Sequence, residues 1–114
     1  MRLILIAAAF LLLLAPRAGL AQDANAQKAW KTRCASCHGE DGKGQATQGK
    51  KMGVEDMTTA AWQKEFTDAK IKTAIQDGLK REKNGKKQQM SAYKEKLKPE
   101  EIDGLVKVVR GLAK

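Results

Sequence analysis

The sequence predicts an all-helical fold, and two observations carry that expectation. Ile102, Leu105, Val106, Val109 and Leu112 recur at i, i+3, i+4, i+7 and i+10, the spacing of one buried helix face. No run in residues 22–114 reads as a strand. Large hydrophobic residues are also few, with aromatics at only 4% of the 114 residues, so the core needs something beyond its own side chains.

The chain opens with Met1 and Arg2, continues through an almost unbroken apolar run over residues 3–14, and is broken by Pro16. Gly19 and Ala21 place small residues three and one before a cut after Ala21. This is the pattern of a secretory signal over residues 1–21, with the mature domain spanning residues 22–114. The apolar run is shorter than the roughly 20 residues that span a bilayer, so cleavage is expected rather than an integral membrane anchor. An exported, periplasmic protein follows. Removal of the leader takes Arg2 and Arg17, leaving 20 basic against 13 acidic side chains and a net charge of +7.

The first mature helix is expected from about Ala24, with Asp23 as its N-cap. Ala26, Ala29, Trp30 and Arg33 fall at helical spacing on it. It leads into Cys34-Ala35-Ser36-Cys37-His38, a C-x-x-C-H run that reads as a haem c attachment site. On a helical turn, residues i and i+3 share a face, so two thiols reach the two vinyl groups along one porphyrin edge. Residue i+4 then carries an imidazole under the ring as an axial ligand.

Three other readings of the run are weaker. A thioredoxin-like dithiol needs alternating strands and helices. A zinc site needs about four Cys or His ligands, and the chain has two cysteines and one histidine. A Cys34–Cys37 disulfide closes too short a loop to stabilise much.

Residues 39–53 are rich in Gly, Lys and Gln with no apolar period and read as a surface loop. Thr58 or Thr59 caps a short helix carrying Trp62 and Phe66, and Thr67 with Asp68 opens another whose face is Ile71, Ala74 and Ile75. Gly78 stands where a left-handed cap ends that helix. From residue 79 to 98 the chain is strongly basic, and reads either as a solvated loop or as a face that steers an acidic partner. Pro99 suits the first position of the terminal helix, Glu100 and Glu101 complement its positive end, and Leu97 staples against Ile102. Gly104 and Gly111 weaken that helix, so packing against Trp30 has to hold it.

The stretch CASCHGEDGKG resembles the start of small class I c-type cytochromes, and Met90-Ser91-Ala92-Tyr93 followed by the terminal helix resembles their second half. The resemblance covers nearly all of residues 22–114. It implies crossing N- and C-terminal helices, with short helices and loops wrapped around one haem c bound covalently through Cys34 and Cys37. It also implies His38 and Met90 as the iron's axial ligands. His38 is the only histidine, which excludes bis-histidine ligation in a monomer. Met57, Met52, a lysine or an open position are the alternatives to Met90. Family members often carry a proline after the motif whose carbonyl meets the far nitrogen of the histidine. Here no proline lies between His38 and Lys98, so another backbone carbonyl is expected in that role. Ser91 stands where the family often has proline, implying a looser loop at Met90.

A six-coordinate His/Met haem leaves no vacant site, which implies a one-electron carrier rather than an enzyme. The expected protein is a monomer exchanging electrons with redox protein partners, an acidic docking face on the partner being the complement to the basic segment. Nucleic acid is an improbable target for an exported haem protein, despite the charge. A subunit dedicated to one dehydrogenase, or a haem protein with an open distal site for gas or substrate, is the alternative.

Overall fold

Apolar periodicity, two threonine caps and one Asn-Gly turn divide the described residues into six α-helices, a π-helical turn and one hairpin. The computed structural model describes residues 18–114. The elements run α1 (Ala18–Ala29), a π-helical turn (Trp30–Cys34), α2 (Ala35–His38), α3 (Thr47–Met52), α4 (Ala60–Glu65), α5 (Asp68–Asp77), β1 (Leu79–Lys83), β2 (Lys86–Met90) and α6 (Pro99–Gly111). The apolar run over residues 3–14 lies outside the described residues, and the expected cut after Ala21 falls within α1. Among the described residues, no helix is long and apolar enough to cross a membrane.

Two helix starts differ from each other in how the sequence sets them. α1 begins at Ala18, so Asp23 lies inside the helix and does not cap it. The three residues just ahead of Asp23 are Leu20, Ala21 and Gln22, strong helix formers that give the helix no reason to stop there. α6 begins as expected: Pro99 takes its first position, and the Glu101 carboxylate accepts from the Lys98 backbone N–H at 3.3 Å. Leu97 and Ile102 are both buried in the same core cluster, as a staple requires.

α1 and α6 pack against each other. Ala26 is fully buried, and Gly104 is buried in α6, so small side chains line the crossing. The core cluster combines Ala29, Trp30 and Cys34 with Met57, Ile71, Ile75, Leu97 and the α6 residues Ile102, Leu105, Val106 and Val109. Leu105 and Ile102 are its most completely enclosed large side chains.

α4 and α5 are capped by Thr59 and Thr67, whose hydroxyls accept from the N–H groups of Trp62 and Lys70 at 3.2 Å each. Gly78 ends α5 at φ +72°, but with an extended ψ instead of the left-handed cap expected of it. Arg110 then ties α6 to the turn between α4 and α5. Its guanidinium donates to Asp68 Oδ1 at 2.6 Å, to Gln63 O at 2.7 Å and to Phe66 O at 2.6 Å.

The hairpin corrects the expectation of an all-helical domain with no strand-like run. β1 and β2 pair antiparallel, Leu79 opposite Met90 and Lys83 opposite Lys86. Asn84 and Gly85 both take positive φ, at 52° and 75°, which is the two-residue turn that matches strand twist. Every β1 residue is exposed, so the strands carry no apolar alternation to betray them.

Candidate functional site

α1 delivers the chain to the motif through a π-helical turn. The Ala35 N–H donates to Trp30 O, five residues back, and such wide turns cluster at functional sites. Cys34 at the end of this turn, with Cys37 and His38 on α2, lines one cavity of about 530 Å³. The two cysteines are not joined to each other by a disulfide. Met90, at the end of β2, lines the same cavity, so all four residues singled out in the sequence border one space. Met52 and Met57 border it too. Trp62 and Phe66, stacked at 4.7 Å between ring centroids, give it an aromatic wall.

Electrostatics separate the competing readings of the motif. Burial pushes the Cys34 thiol up to about 11, outweighing the nearby Arg33, with Cys37 adding to the rise. A dithiol redox centre needs the opposite, a thiol lowered towards thiolate. Burial also lowers the pKa of His38, which keeps the imidazole neutral and its nitrogen lone pair free for a metal. Among the described residues, no group of three or more His, Cys, Asp or Glu is placed to hold a metal ion, which removes the zinc reading.

The imidazole is held by packing. Its ring stacks on Trp30 with centroids 5.9 Å apart and planes 26° apart, and the Trp30 indole N–H donates to Glu40 O at 3.1 Å. Sequence reasoning assigned Trp30 to the helix crossing alone. The two residues stand eight apart along one helical strip, a spacing that brings them near each other.

The expected carbonyl partner for the far nitrogen of His38 is not found: Nδ1 is buried without a hydrogen bond. The loop's carbonyls are directed elsewhere. His38 O accepts from the Gly44 N–H at 2.8 Å, Gly42 O from Met57 at 3.0 Å, and Gly49 O from Val54 at 2.9 Å. Gly49 is required at this close approach, because a Cβ there would strike the carbonyl of Cys37.

On the other side, Met90 is not in a loose loop. It ends a paired strand, and beyond Ser91 the chain is refastened to α5, where the Tyr93 N–H donates to Ile75 O at 2.9 Å. The Tyr93 hydroxyl donates to Arg33 O at 3.2 Å, so its polar end meets backbone across the site. Gly78 lies against the Met90 carbonyl so closely that a Cβ would collide with it. Glu55, on the rim, forms ion pairs with Arg81 at 3.8 Å and with Lys83.

Two thiols, one neutral imidazole and a thioether around a mainly apolar space of this size suit a flat, apolar macrocycle with a metal at its centre. A family model described as Cytochrome c matches residues 24–113. The solved structure of the KustC0563 c-type cytochrome is similar to this chain at 35% identity and a TM-score of 0.65, over 78% of this chain and 98% of that one. No curated protein matches the chain.

Proposed function

The chain belongs to the cytochrome c family, and from that premise we propose that it is an exported one-electron carrier with a single haem c ligated by His38 and Met90. Membership in the family implies haem c and electron transfer. The reading of these particular residues is supported by the meeting of Cys34, Cys37, His38 and Met90 on one cavity.

Each residue has a separate task. Cys34 and Cys37 supply the sulfurs of the two thioethers. His38 offers a lone pair that burial leaves unprotonated, with its ring orientation set by Trp30. Met90 offers a soft thioether, which favours the ferrous state and raises the potential. Trp62, Phe66, Ile71 and Leu105 line the cavity with apolar surface. Haem c bound there supplies reversible one-electron chemistry at iron. Were His38 and Met90 both committed to the iron, no position would be left for a substrate, and electron exchange would be the chemistry that remains.

The basic hairpin supports docking to an acidic partner. Lys80, Lys86 and Lys87 are exposed on it, with Lys50 and Lys51 exposed on α3 nearby. A field of this kind raises association rates with an acidic protein, and the gain falls with ionic strength.

The test is carbon monoxide binding to the ferrous protein, with a haem stain after denaturing electrophoresis. Retained stain and poor carbon monoxide binding are expected. Loss of haem on denaturation would remove the thioether assignment, and ready carbon monoxide binding would replace the carrier with a haem protein open on its distal side.

A further inference from the structure

The strand that carries Met90 is almost bare of apolar anchors, yet it ends inside the cavity. Its inward face alternates as strand geometry dictates. Lys86, Gln88 and Met90 stand at i, i+2 and i+4, and Gln88 and Met90 are the two half-buried residues of β2.

Gln88 uses its entire amide. Its Nε2 donates to Met52 O at 3.0 Å and to Gly53 O at 2.9 Å, the carbonyls at the C-terminal end of α3. Its Oε1 accepts from Arg81 Nε at 2.8 Å, directly across the hairpin. Arg81 is in turn paired with Glu55. Gly53, at φ +65°, turns the end of α3 and exposes those two carbonyls. Lys86 reaches Lys50 O at 3.4 Å beside it.

We propose that Gln88 is a positioning residue that fixes Met90 in the cavity by clasping β2 to the C-terminal end of α3. This rests on the reading of Met90 as an axial ligand. The clasp supplies what an apolar core supplies on the opposite wall. A strand's side-chain period is two, so whatever sets the register of Gln88 also sets which face Met90 presents. The carbonyls of Met52 and Gly53 serve as fixed acceptors at the end of a helix, where helix carbonyls lack intrahelical partners.

The measurement is the apparent affinity of exogenous imidazole for the ferric holoprotein, alongside its sulfur-to-iron charge-transfer band. Imidazole binds iron only when Met90 has left it, so its apparent affinity scales with the open fraction. Gln88→Ala is expected to raise that affinity about tenfold, the scale of the two net hydrogen bonds to α3 that it loses along with the one from Arg81. Gln88→Glu is expected to raise it at least as far, because it keeps an acceptor for Arg81 but sets a carboxylate oxygen against the two carbonyls of α3. Glu82→Gln, exposed on the hairpin, is expected to stay at the wild-type value. The denaturant midpoint of the whole protein is expected to be the same for all three.

If Gln88→Ala and Gln88→Glu bind imidazole as weakly as Glu82→Gln does, the clasp is overturned. The same holds if Gln88→Glu alone behaves as wild type, since the α3 hydrogen bonds would then be irrelevant. A failure of the ligand reading looks different: the wild-type protein would lack the charge-transfer band and bind imidazole as tightly as Met90→Ala, and the clasp would fall with it.

Discussion

The two walls of the cavity are held by different forces. The wall bearing Cys34, Cys37 and His38 is the continuation of a helix whose Trp30 and Cys34 are buried in the main core. The wall bearing Met90 is an exposed two-stranded ribbon held by Gln88, Glu55 and a few backbone hydrogen bonds. Apolar burial is non-directional and tolerant, whereas a polar clasp works only in one register and is open to water. The first wall therefore suits a permanent attachment, and the second suits a ligand that is held without being tethered.

Two glycines break the walls separately. Gly49→Ala drives a Cβ into the carbonyl of Cys37 at a backbone approach that cannot yield cheaply. It is expected to destabilise the protein by about 3 kcal/mol, the upper end for overpacking, and to lower the yield of haem-loaded protein. Global denaturation and haem content check it. Gly78→Ala sets a Cβ against the Met90 carbonyl and also places a side chain at φ +72°. Its cost of about 1–3 kcal/mol, that of a non-glycine residue held at positive φ and extended ψ, should fall on the strap, weakening the charge-transfer band while haem content stays at the wild-type level. Equal loss of haem in both variants would erase the distinction between the walls.

Arg110→Ala tests the floor that both walls share. It leaves the carbonyls of Gln63 and Phe66 without this donor, and a loss of about 1–3 kcal/mol in global stability is expected, with no change in the charge-transfer band. Differential denaturation with the band as a second probe checks it.

The smallest effect is a pH dependence at Asp56, next to Glu55 in the chain. The Thr58 hydroxyl and N–H donate to Asp56 Oδ1 at 2.6 and 2.8 Å, and these bonds hold the carboxyl below its usual 3.8. A group with a lowered folded pKa contributes stability above its unfolded value and loses it as pH falls through the folded one. Asp56→Asn should therefore be less stable than wild type at neutral pH, with the gap closing below about 3.8. Acid titration of both proteins, followed by circular dichroism, checks it.

The difference between the walls also explains what was legible in the sequence. The motif, the threonine caps, Pro99 and the apolar face of α6 each act locally or through a helical period, and each stands where the spacing puts it. The hairpin was not legible from periodicity, because a ribbon of Lys, Arg and Gln shows no alternation. Its one strong signal, Asn84-Gly85, is two residues long. The knot around Arg110 and the clasp at Gln88 join residues 35 to 47 positions apart through backbone carbonyls, which leave no mark in a sequence. The missing partner of His38 Nδ1 is of the same kind, since it depends on where loop carbonyls point.

The site holds three methionines on one cavity, Met52, Met57 and Met90, and ligation by the third alone is the most direct point of test. Optical spectra of the oxidised and reduced holoprotein should be recorded for alanine variants of each. Met90→Ala is predicted to lose the sulfur-to-iron charge-transfer band and turn high-spin, while Met52→Ala and Met57→Ala keep a low-spin spectrum with the band intact. A Met90→Ala spectrum identical to wild type, or loss of the band in Met52→Ala instead, would contradict the assignment.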